Sequence, residues 1–117
     1  MRHFGFSAIG VASGAVEMFS AFEDGGAMWT GEGPRVERRR VHFERPFREA
    51  PVVQVGLGMW DIASGANQRA DIAAQHVTPE GFELQFRTWG DTRVARVRAN
   101  WLAIGPVAHA DDWIIED

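Results

Sequence analysis

Hydrophobic and polar residues alternate through most of the chain between residues 11 and 105. The pattern is clearest in residues 81–88, where Phe82, Leu84 and Phe86 alternate with polar side chains. A period of two places the side chains of a β-strand on opposite faces, one buried and one in contact with water. This segment therefore predicts a strand whose three large apolar side chains point into a core.

Five further segments show the same alternation and are predicted as strands: residues 11–19, 36–43, 52–61, 69–78 and 95–104. In the third of these, the residues predicted to share a face are Val53, Val55, Leu57 and Met59. In the fourth, the predicted inward residues are Ala70, Ile72, Ala74 and His76. Six short strands without a convincing helix predict an all-β fold, a six-stranded antiparallel β-sandwich.

Glycine, proline and aspartate mark the connections between these strands. Residues 79–81 predict a turn between the fourth and fifth strands, and residues 89–92 predict a tight turn that joins the fifth and sixth as an antiparallel hairpin. Residues 23–34 are rich in glycine and are predicted to be an irregular loop. Trp29 in that loop either closes one end of the core or belongs to a binding surface.

The length of 117 residues suits one domain with a single core. The predicted sandwich covers residues 11–105, between an N-terminal extension at 1–10 and an acidic C-terminal tail at 106–117. No apolar run reaches the roughly 18 residues that a spanning helix needs, so no membrane insertion is expected. We expect a soluble protein without a clear signal peptide, which is compatible with an extracellular or surface-associated location.

Composition excludes several classes of function. The chain has no cysteine, which removes disulfides, thiolate metal sites and cysteine nucleophiles. A net charge of −4 argues against nucleic-acid binding. The four histidines lack the spacing of metal ligands, and no catalytic constellation is recognisable. We therefore expect neither an enzyme nor a bound metal or cofactor.

The polar residues at turns and strand ends suggest a ligand that is rich in hydroxyl groups. Arg69, Asp91 and Glu32 offer paired donors and acceptors, and Trp89 offers a flat apolar face for the C–H side of a sugar ring. Alternatively, Arg69 and Trp89 form a cation–π pair at an interface.

The sixth strand predicts a contact between protomers. Its outward side begins with Arg96, Arg98 and Asn100 and continues as apolar Leu102 and Ile104. A stripe that is half arginine and half aliphatic is typical of a protein interface. In the second strand, the run of arginines at residues 38–40 requires at least one of them to face inward, reach an edge or pair across a contact between protomers.

The chain resembles the H-type lectins, a family found in snail agglutinins and slime-mould discoidins. The resemblance extends over about residues 11–105 and depends on Asp61, Asn67 and Arg69, on the segments 11–14, 41–43, 51–53, 77–82 and 101–104, and on Thr88-Trp89 followed by Asp91-Thr92. It implies a six-stranded sandwich, assembled as a homotrimer, that binds N-acetylgalactosamine-type sugars near the contacts between protomers.

The resemblance also assigns site residues. The sugar-contacting arginine and tryptophan of the family fall on Arg69 and Trp89. The snail lectins have a histidine where this chain has Gly90. The loop before the second strand, which supplies the family's carboxylate, is shorter here, and Glu32 is the nearest candidate. The cysteines that join trimers in the family are absent.

Two functional hypotheses follow. In the first, the protein is a multivalent carbohydrate-binding module for galactose or N-acetylgalactosamine-type sugars, in which Trp89 stacks, Arg69 donates, Glu32 or Asp91 accepts, and Gly90 adjoins them. In the second, it is a trimeric structural or attachment component of a surface or virus-like assembly, with sugar binding lost or altered. The second hypothesis includes a protein partner for the apolar triplet Trp113-Ile114-Ile115 of the tail, and the shortened loop and the missing histidine favour it.

Overall fold

A computed structural model describes residues 1–5, 8–21 and 25–108. Within these ranges the chain forms six β-strands and one short helix. The strands are β1 (Ala8–Ser20), β2 (Arg35–His42), β3 (Val52–Ile62), β4 (Asp71–Thr78), β5 (Gly81–Thr88) and β6 (Val94–Val107), and the helix is α1 (Ala27–Thr30). The prediction of an all-β fold is confirmed.

The strands form two three-stranded antiparallel sheets. One sheet has the order β1–β6–β3 and is called the β6 sheet here; the other has the order β2–β5–β4 and is called the β5 sheet. The predicted hairpin between β5 and β6 is wrong, because these strands are the centres of different sheets and residues 89–93 cross from one sheet to the other. Alternation determines which face of a strand is buried, but it does not determine which strand becomes the hydrogen-bonded neighbour.

The inner faces of the two sheets enclose one hydrophobic core. Phe82, Leu84 and Phe86 of β5 have no exposed surface, as their alternation predicted. Val97 and Ala99 of β6 are equally buried and belong to the same cluster. Burial of each large side chain contributes about 1.5–3 kcal/mol, so this central pair of strands dominates the stability of the sandwich.

An aromatic cluster closes the core at the end opposite to residues 89–93. The ring of Trp101 lies 5.5 Å from Phe82 and 5.8 Å from Phe43, centroid to centroid. The indole occupies the space beside Gly14 on the neighbouring strand, where an added Cβ would approach its Nε1 to 2.8 Å. Glycine at position 14 therefore makes room for the tryptophan.

A bulge in β3 interrupts the predicted apolar face of that strand. The pairing with β6 shifts between Leu57 and Met59, so that Met59 is paired with the exposed Arg98 and does not continue the face that carries Leu57. The side chain of Asn100 lies against Gly58, at 2.6 Å from the position of a Cβ there. The close approach of Asn100 to a residue without a side chain accompanies the bulge.

β4 also departs from simple alternation. Ile72 and Ala74 pack against the core as predicted, but Ala70 precedes the strand and is exposed. The prediction that His76 points inward is wrong: His76 is exposed and has a φ of 53°, and the pairing with β5 shifts between Gln75 and Thr78. This irregularity shifts the alternation by one residue, so that Val77 and not His76 packs against the core.

The segment predicted to be irregular contains the one-turn helix α1. Met28 in α1 is 5% exposed, and Trp29 packs against the core cluster. This confirms the interpretation that Trp29 closes one end of the core.

The three arginines of β2 divide between the two faces of an outer strand. Arg39 is partly buried on the inner side and forms an ion pair with Glu37 at 2.7 Å. Arg38 and Arg40 are exposed on the outer side, and Arg38 lies 3.5 Å from Glu83 of β5. Because β2 is at the edge of its sheet, the inward arginine remains accessible to water and to its carboxylate partner.

β1 begins at Ala8, inside the predicted N-terminal extension, and β6 continues to Val107, past residue 105. The predicted partner segment Trp113-Ile114-Ile115 lies outside the described residues. In the part of the chain that is described, no helix is long and apolar enough to cross a membrane.

Candidate functional site

Three connecting segments meet at the end of the sandwich where the chain crosses between sheets: residues 31–34, 63–70 and 89–93. The carbonyl of Gly90 joins two of them, because it accepts a hydrogen bond from the backbone N–H of Gly33 at 2.9 Å. It also accepts one from Nη2 of Arg35 at 3.1 Å. Gly90 is therefore held by its backbone to the loop that precedes β2.

Two buried threonines attach the third segment. The hydroxyl of Thr92 accepts a hydrogen bond from the backbone N–H of Arg69 at 3.1 Å and donates to the carbonyl of Asn67. The hydroxyl of Thr88 donates to the carbonyl of Arg69 at 2.6 Å. Thr88 and Thr92 are 1% and 0% exposed, so the hydroxyl end of each bond is buried. The backbone of Arg69 is thus fixed by bonds to both its N–H and its carbonyl.

The side chain of Arg69 forms an ion pair with Asp91. Nη1 of Arg69 lies 2.6 Å from Oδ1 of Asp91, and the two side chains are 33% and 56% exposed. The hydrogen bond from Arg69 lowers the pKa of Asp91 below its ordinary value, and the charge of the guanidinium acts in the same direction. The sequence placed these two residues among the candidates, and the structure brings them together at the surface.

This shift predicts a difference in titration. Because the pKa of Asp91 is lowered in the folded state, the stability that its ionised form contributes is present above the unfolded-state pKa and is lost as the pH falls through the folded-state pKa. We expect the carboxyl midpoint of Asp91, measured by ¹³C NMR, to be lower in the native protein than in an Arg69→Gln variant. Equal midpoints would show that Arg69 does not interact with Asp91 in solution.

Gly90 has both a conformational and a steric reason to be glycine. Its φ is +68°, in the left-handed region that glycine adopts without strain. A Cβ at this position would lie 2.9 Å from Nη1 of Arg69. The guanidinium is packed against a residue that has no side chain.

Arg35 organises the loop that contains Glu32. Its guanidinium donates to four backbone carbonyls, those of Gly33, Ala27, Met28 and Gly90. Burial lowers the pKa of Arg35, and the nearby charge of Glu32 acts in the opposite direction. Glu32 is exposed and lies next to Gly33, whose N–H is bonded to Gly90. Among the described residues, no hydrogen bond joins Glu32 to Arg69.

Trp89 is 44% exposed, and its side chain does not face the Arg69–Asp91 pair. It lines a groove of about 500 Å³, called the Trp89 groove here. The lining residues are Pro34, Arg35, Val36, Arg87, Thr88 and Trp89. Arg69 is not among them, and within the described residues of one chain no guanidinium lies over the indole ring. Trp89 is therefore separated from Asp91 in the chain by Gly90 alone, but its ring is exposed beside the β5 sheet and not against Arg69.

Sequence reasoning gave no role to Arg35 or to the hydroxyls of the two threonines, although Thr88 and Thr92 belong to the family pattern. The burial of Thr88 could have been predicted, because Thr88 follows Phe86 by two residues and so continues the inward series of Phe82, Leu84 and Phe86. The role of Arg35 could not have been predicted from local sequence, since its partners include the carbonyl of Gly90, 55 residues away. Among the described residues, no group of three or more histidine, cysteine, aspartate or glutamate side chains could hold a metal ion.

Comparisons with known proteins place this chain in a family. The model of the H-type lectin domain matches residues 38–104, which is more than half of the chain. A protein of Fuscovulum blasticum described as "ATP synthase subunits region ORF 7" is 54% identical over 110 residues, covering 94% of this chain and 96% of that protein. A discoidin-1 polypeptide of Dictyostelium discoideum is 31% identical over 81 residues, covering 68% of this chain and 32% of that polypeptide.

The structural comparison agrees with the sequence match. Discoidin II of Dictyostelium discoideum superimposes with a TM-score of 0.75 at 24% identity, covering 90% of this chain and 40% of that chain. The protein thus spans only about a third of the discoidin-1 polypeptide and two fifths of discoidin II. Since the family model matches more than half of the sequence and the fold agrees, the chain belongs to the H-type lectin domain family.

Proposed function

We propose that the protein binds hydroxyl-rich sugars of the galactose or N-acetylgalactosamine type at the end where residues 89–93 cross between the sheets. The observation that carries this proposal is the surface ion pair of Arg69 and Asp91, 2.6 Å apart and close in sequence to the exposed ring of Trp89. A guanidinium donor beside a carboxylate acceptor matches two adjacent sugar hydroxyls, each of which donates and accepts. Membership of the H-type lectin domain family supports the same function.

Each candidate residue has a distinct role in this proposal. Arg69 donates from Nε and Nη2, which make no hydrogen bond to the described residues. Asp91 accepts, and Glu32 supplies a second carboxylate from the loop bound to Gly90. Gly90 leaves the guanidinium uncovered, so a ligand can approach where a side chain would block it. Trp89 offers its exposed ring to the C–H face of the bound glycan beside this pair.

A panel of immobilised glycans tests the proposal. We expect binding to glycans that end in galactose or N-acetylgalactosamine, and competition by the free monosaccharide at millimolar concentration, as is typical of single weak sites. A folded protein that binds no glycan in the panel would contradict the proposal. That result would favour the role of a structural or attachment component instead.

We further propose that three copies assemble through the outer face of the β6 sheet. Val11, Ile104 and Val52 form one row across the three strands of that sheet. They are 66%, 36% and 47% exposed, and Ile9 and Leu102 beside them are 49% and 37% exposed. β6 is the central strand, so the stripe predicted from its sequence runs along the middle of a sheet face. A contiguous apolar patch with arginine beyond it is suited to an interface.

The assembly is tested by placing a charge in this row. Ile104→Asp is expected to convert the trimer to monomer, because a carboxylate buried without a partner costs several kcal/mol. Light scattering after gel filtration measures the mass. The matched control is Val36→Asp, since Val36 is equally exposed, at 37%, but lies on the other sheet. A wild-type protein that is monomeric at micromolar concentration would contradict the assembly.

Trimer formation also affects the strength of binding. Three weak sites on one assembly raise the apparent affinity for a surface with repeated glycans without any new contact. We therefore expect Ile104→Asp to weaken binding to a dense glycan surface while it leaves the affinity for a free monosaccharide unchanged.

A further inference from the structure

The Trp89 groove has an apolar floor that is exposed to water. Val36 and Trp89 are 37% and 44% exposed, and Pro34 beside them is also exposed. Val36 is paired with Arg87 across the neighbouring strands, so the floor continues directly into the side chain of that arginine. A flat apolar surface of this kind accommodates the C–H face of a sugar ring.

The charged residues that line the groove are both cationic. Arg35 is engaged by backbone carbonyls on the inner side of its loop. Arg87 is 54% exposed and is held by one oxygen of Asp71, with Nε at 3.1 Å and Nη2 at 2.6 Å. Its Nη1 makes no hydrogen bond to the described residues, and no carboxylate is among the residues lining the groove.

The charged side chains of the groove are therefore donors only. The one hydroxyl in its lining, that of Thr88, is buried and already donates to the carbonyl of Arg69. A neutral sugar would find no charged acceptor among these side chains, whereas a carboxylate or sulfate group would accept from the unengaged Nη1 of Arg87.

From this we infer that the Trp89 groove is a second subsite, which takes the sugar ring next to the terminal one and prefers a ring that carries an anionic group. The inference rests on the proposed function, in which the terminal sugar lies at Arg69 and Asp91. Trp89 borders both positions, since it lines the groove and precedes Gly90. The preferred ligand is therefore a disaccharide or longer glycan with a galactose-type end and an acidic neighbouring residue.

Binding of matched disaccharides tests the inference. The ligands share one galactose-type terminal residue, and the second ring is neutral, carries a carboxylate or carries a sulfate. Titration calorimetry on the full chain is expected to show about fivefold to tenfold tighter binding of one or both acidic ligands than of the neutral one. The carboxylate and sulfate arms distinguish the two sources of negative charge. The advantage should decrease as salt is added, because the pair is exposed.

Three variants assign the effect to Arg87. Arg87→Gln should abolish the advantage of the acidic ligand and leave the affinity for the neutral disaccharide within about twofold. Asp71→Asn removes the competing carboxylate and should increase the advantage. Arg38→Gln is the matched control, since Arg38 is 58% exposed on the same sheet, near a carboxylate, and does not line the groove. It should behave as the wild type.

The outcomes separate the two proposals. If neutral and acidic disaccharides bind equally well, the subsite is contradicted and the sugar-binding function stands. If the acidic advantage persists in Arg87→Gln, the subsite is also contradicted, because the anion is then recognised elsewhere. If no ligand binds, including the free monosaccharide, the proposed function fails, and the subsite fails with it.

Discussion

Replacing Arg69 by glutamine is expected to weaken sugar binding by about tenfold to one hundredfold, because a charged donor to a ligand contributes about 1.5–3 kcal/mol. The variant should fold normally. The bonds that fix residue 69 involve its backbone, with the N–H bonded to Thr92 and the carbonyl bonded to Thr88. Only the ion pair with Asp91 is lost, and an exposed ion pair that water screens adds little to stability.

Calorimetry with the free monosaccharide measures this loss, and thermal unfolding checks that the fold is intact. Arg93→Gln is the matched control. Arg93 lies in the same crossing segment, is exposed, and its side chain makes no hydrogen bond or ion pair with the described residues. It should retain full affinity. If the Arg69→Gln protein bound the sugar within twofold of the wild type, the proposal that the sugar binds at this pair would be contradicted.

Replacing Thr92 by valine is expected to lower the free energy of unfolding by about 1–3 kcal/mol, since it leaves two partly buried backbone groups without their partner. Valine has nearly the same shape as threonine, so the packing around the completely buried residue 92 is retained. The backbone N–H of Arg69 and the carbonyl of Asn67 both lose their bond to the hydroxyl. The attachment of residues 67–69 to the crossing would be weakened, while the backbone bond from Ala63 to Arg93 and the bond from Thr88 to Arg69 remain.

Urea unfolding measures the change in stability, and amide hydrogen exchange at residue 69 reports the weakened attachment directly. Thr30→Val provides the comparison, because Thr30 is exposed and its hydroxyl lies near carbonyls of its own turn. It should change stability by less than about 0.5 kcal/mol. If Thr92→Val were as stable as the wild type, water would have to replace the hydroxyl, and the crossing would be less rigid than the bonds indicate.

Much of the fold follows from local physics. The alternation of Phe82, Leu84 and Phe86 with polar residues determines which face of the strand is buried. A shift in register of one residue would move all three side chains to the solvent face, which is unfavourable. Alternation predicted the wrong face for Met59 and His76, because each lies at a shift in strand pairing. Such a shift depends on contacts with the neighbouring strand and is not visible in the local sequence. It also failed for the pairing of β5 with β6, because apolar alternation is the same whether the next strand lies beside the first or across the core.

The candidate site was less accessible to such reasoning. Arg69 and Asp91 are 22 residues apart in the sequence. They meet because the connection between β3 and β4 lies beside the connection between β5 and β6. The resemblance to a family supplied Arg69 and Trp89, but not the threonine hydroxyls that hold the loops. The cationic character of the Trp89 groove arises from Arg87 and Arg35, which lie on adjacent strands and become neighbours only when the sheet forms.

The loops at the crossing are held at main-chain atoms by two kinds of bond. Gly33 donates to the carbonyl of Gly90, and the hydroxyls of Thr88 and Thr92 bind both backbone groups of Arg69 and the carbonyl of Asn67. Because these bonds do not depend on which side chains neighbouring positions carry, residues such as Glu32, Gln68 and Asp91 can be exchanged at little cost to folding. This end of the domain is therefore a suitable starting point for selecting variants with altered glycan preference from libraries, on a scaffold that stays constant.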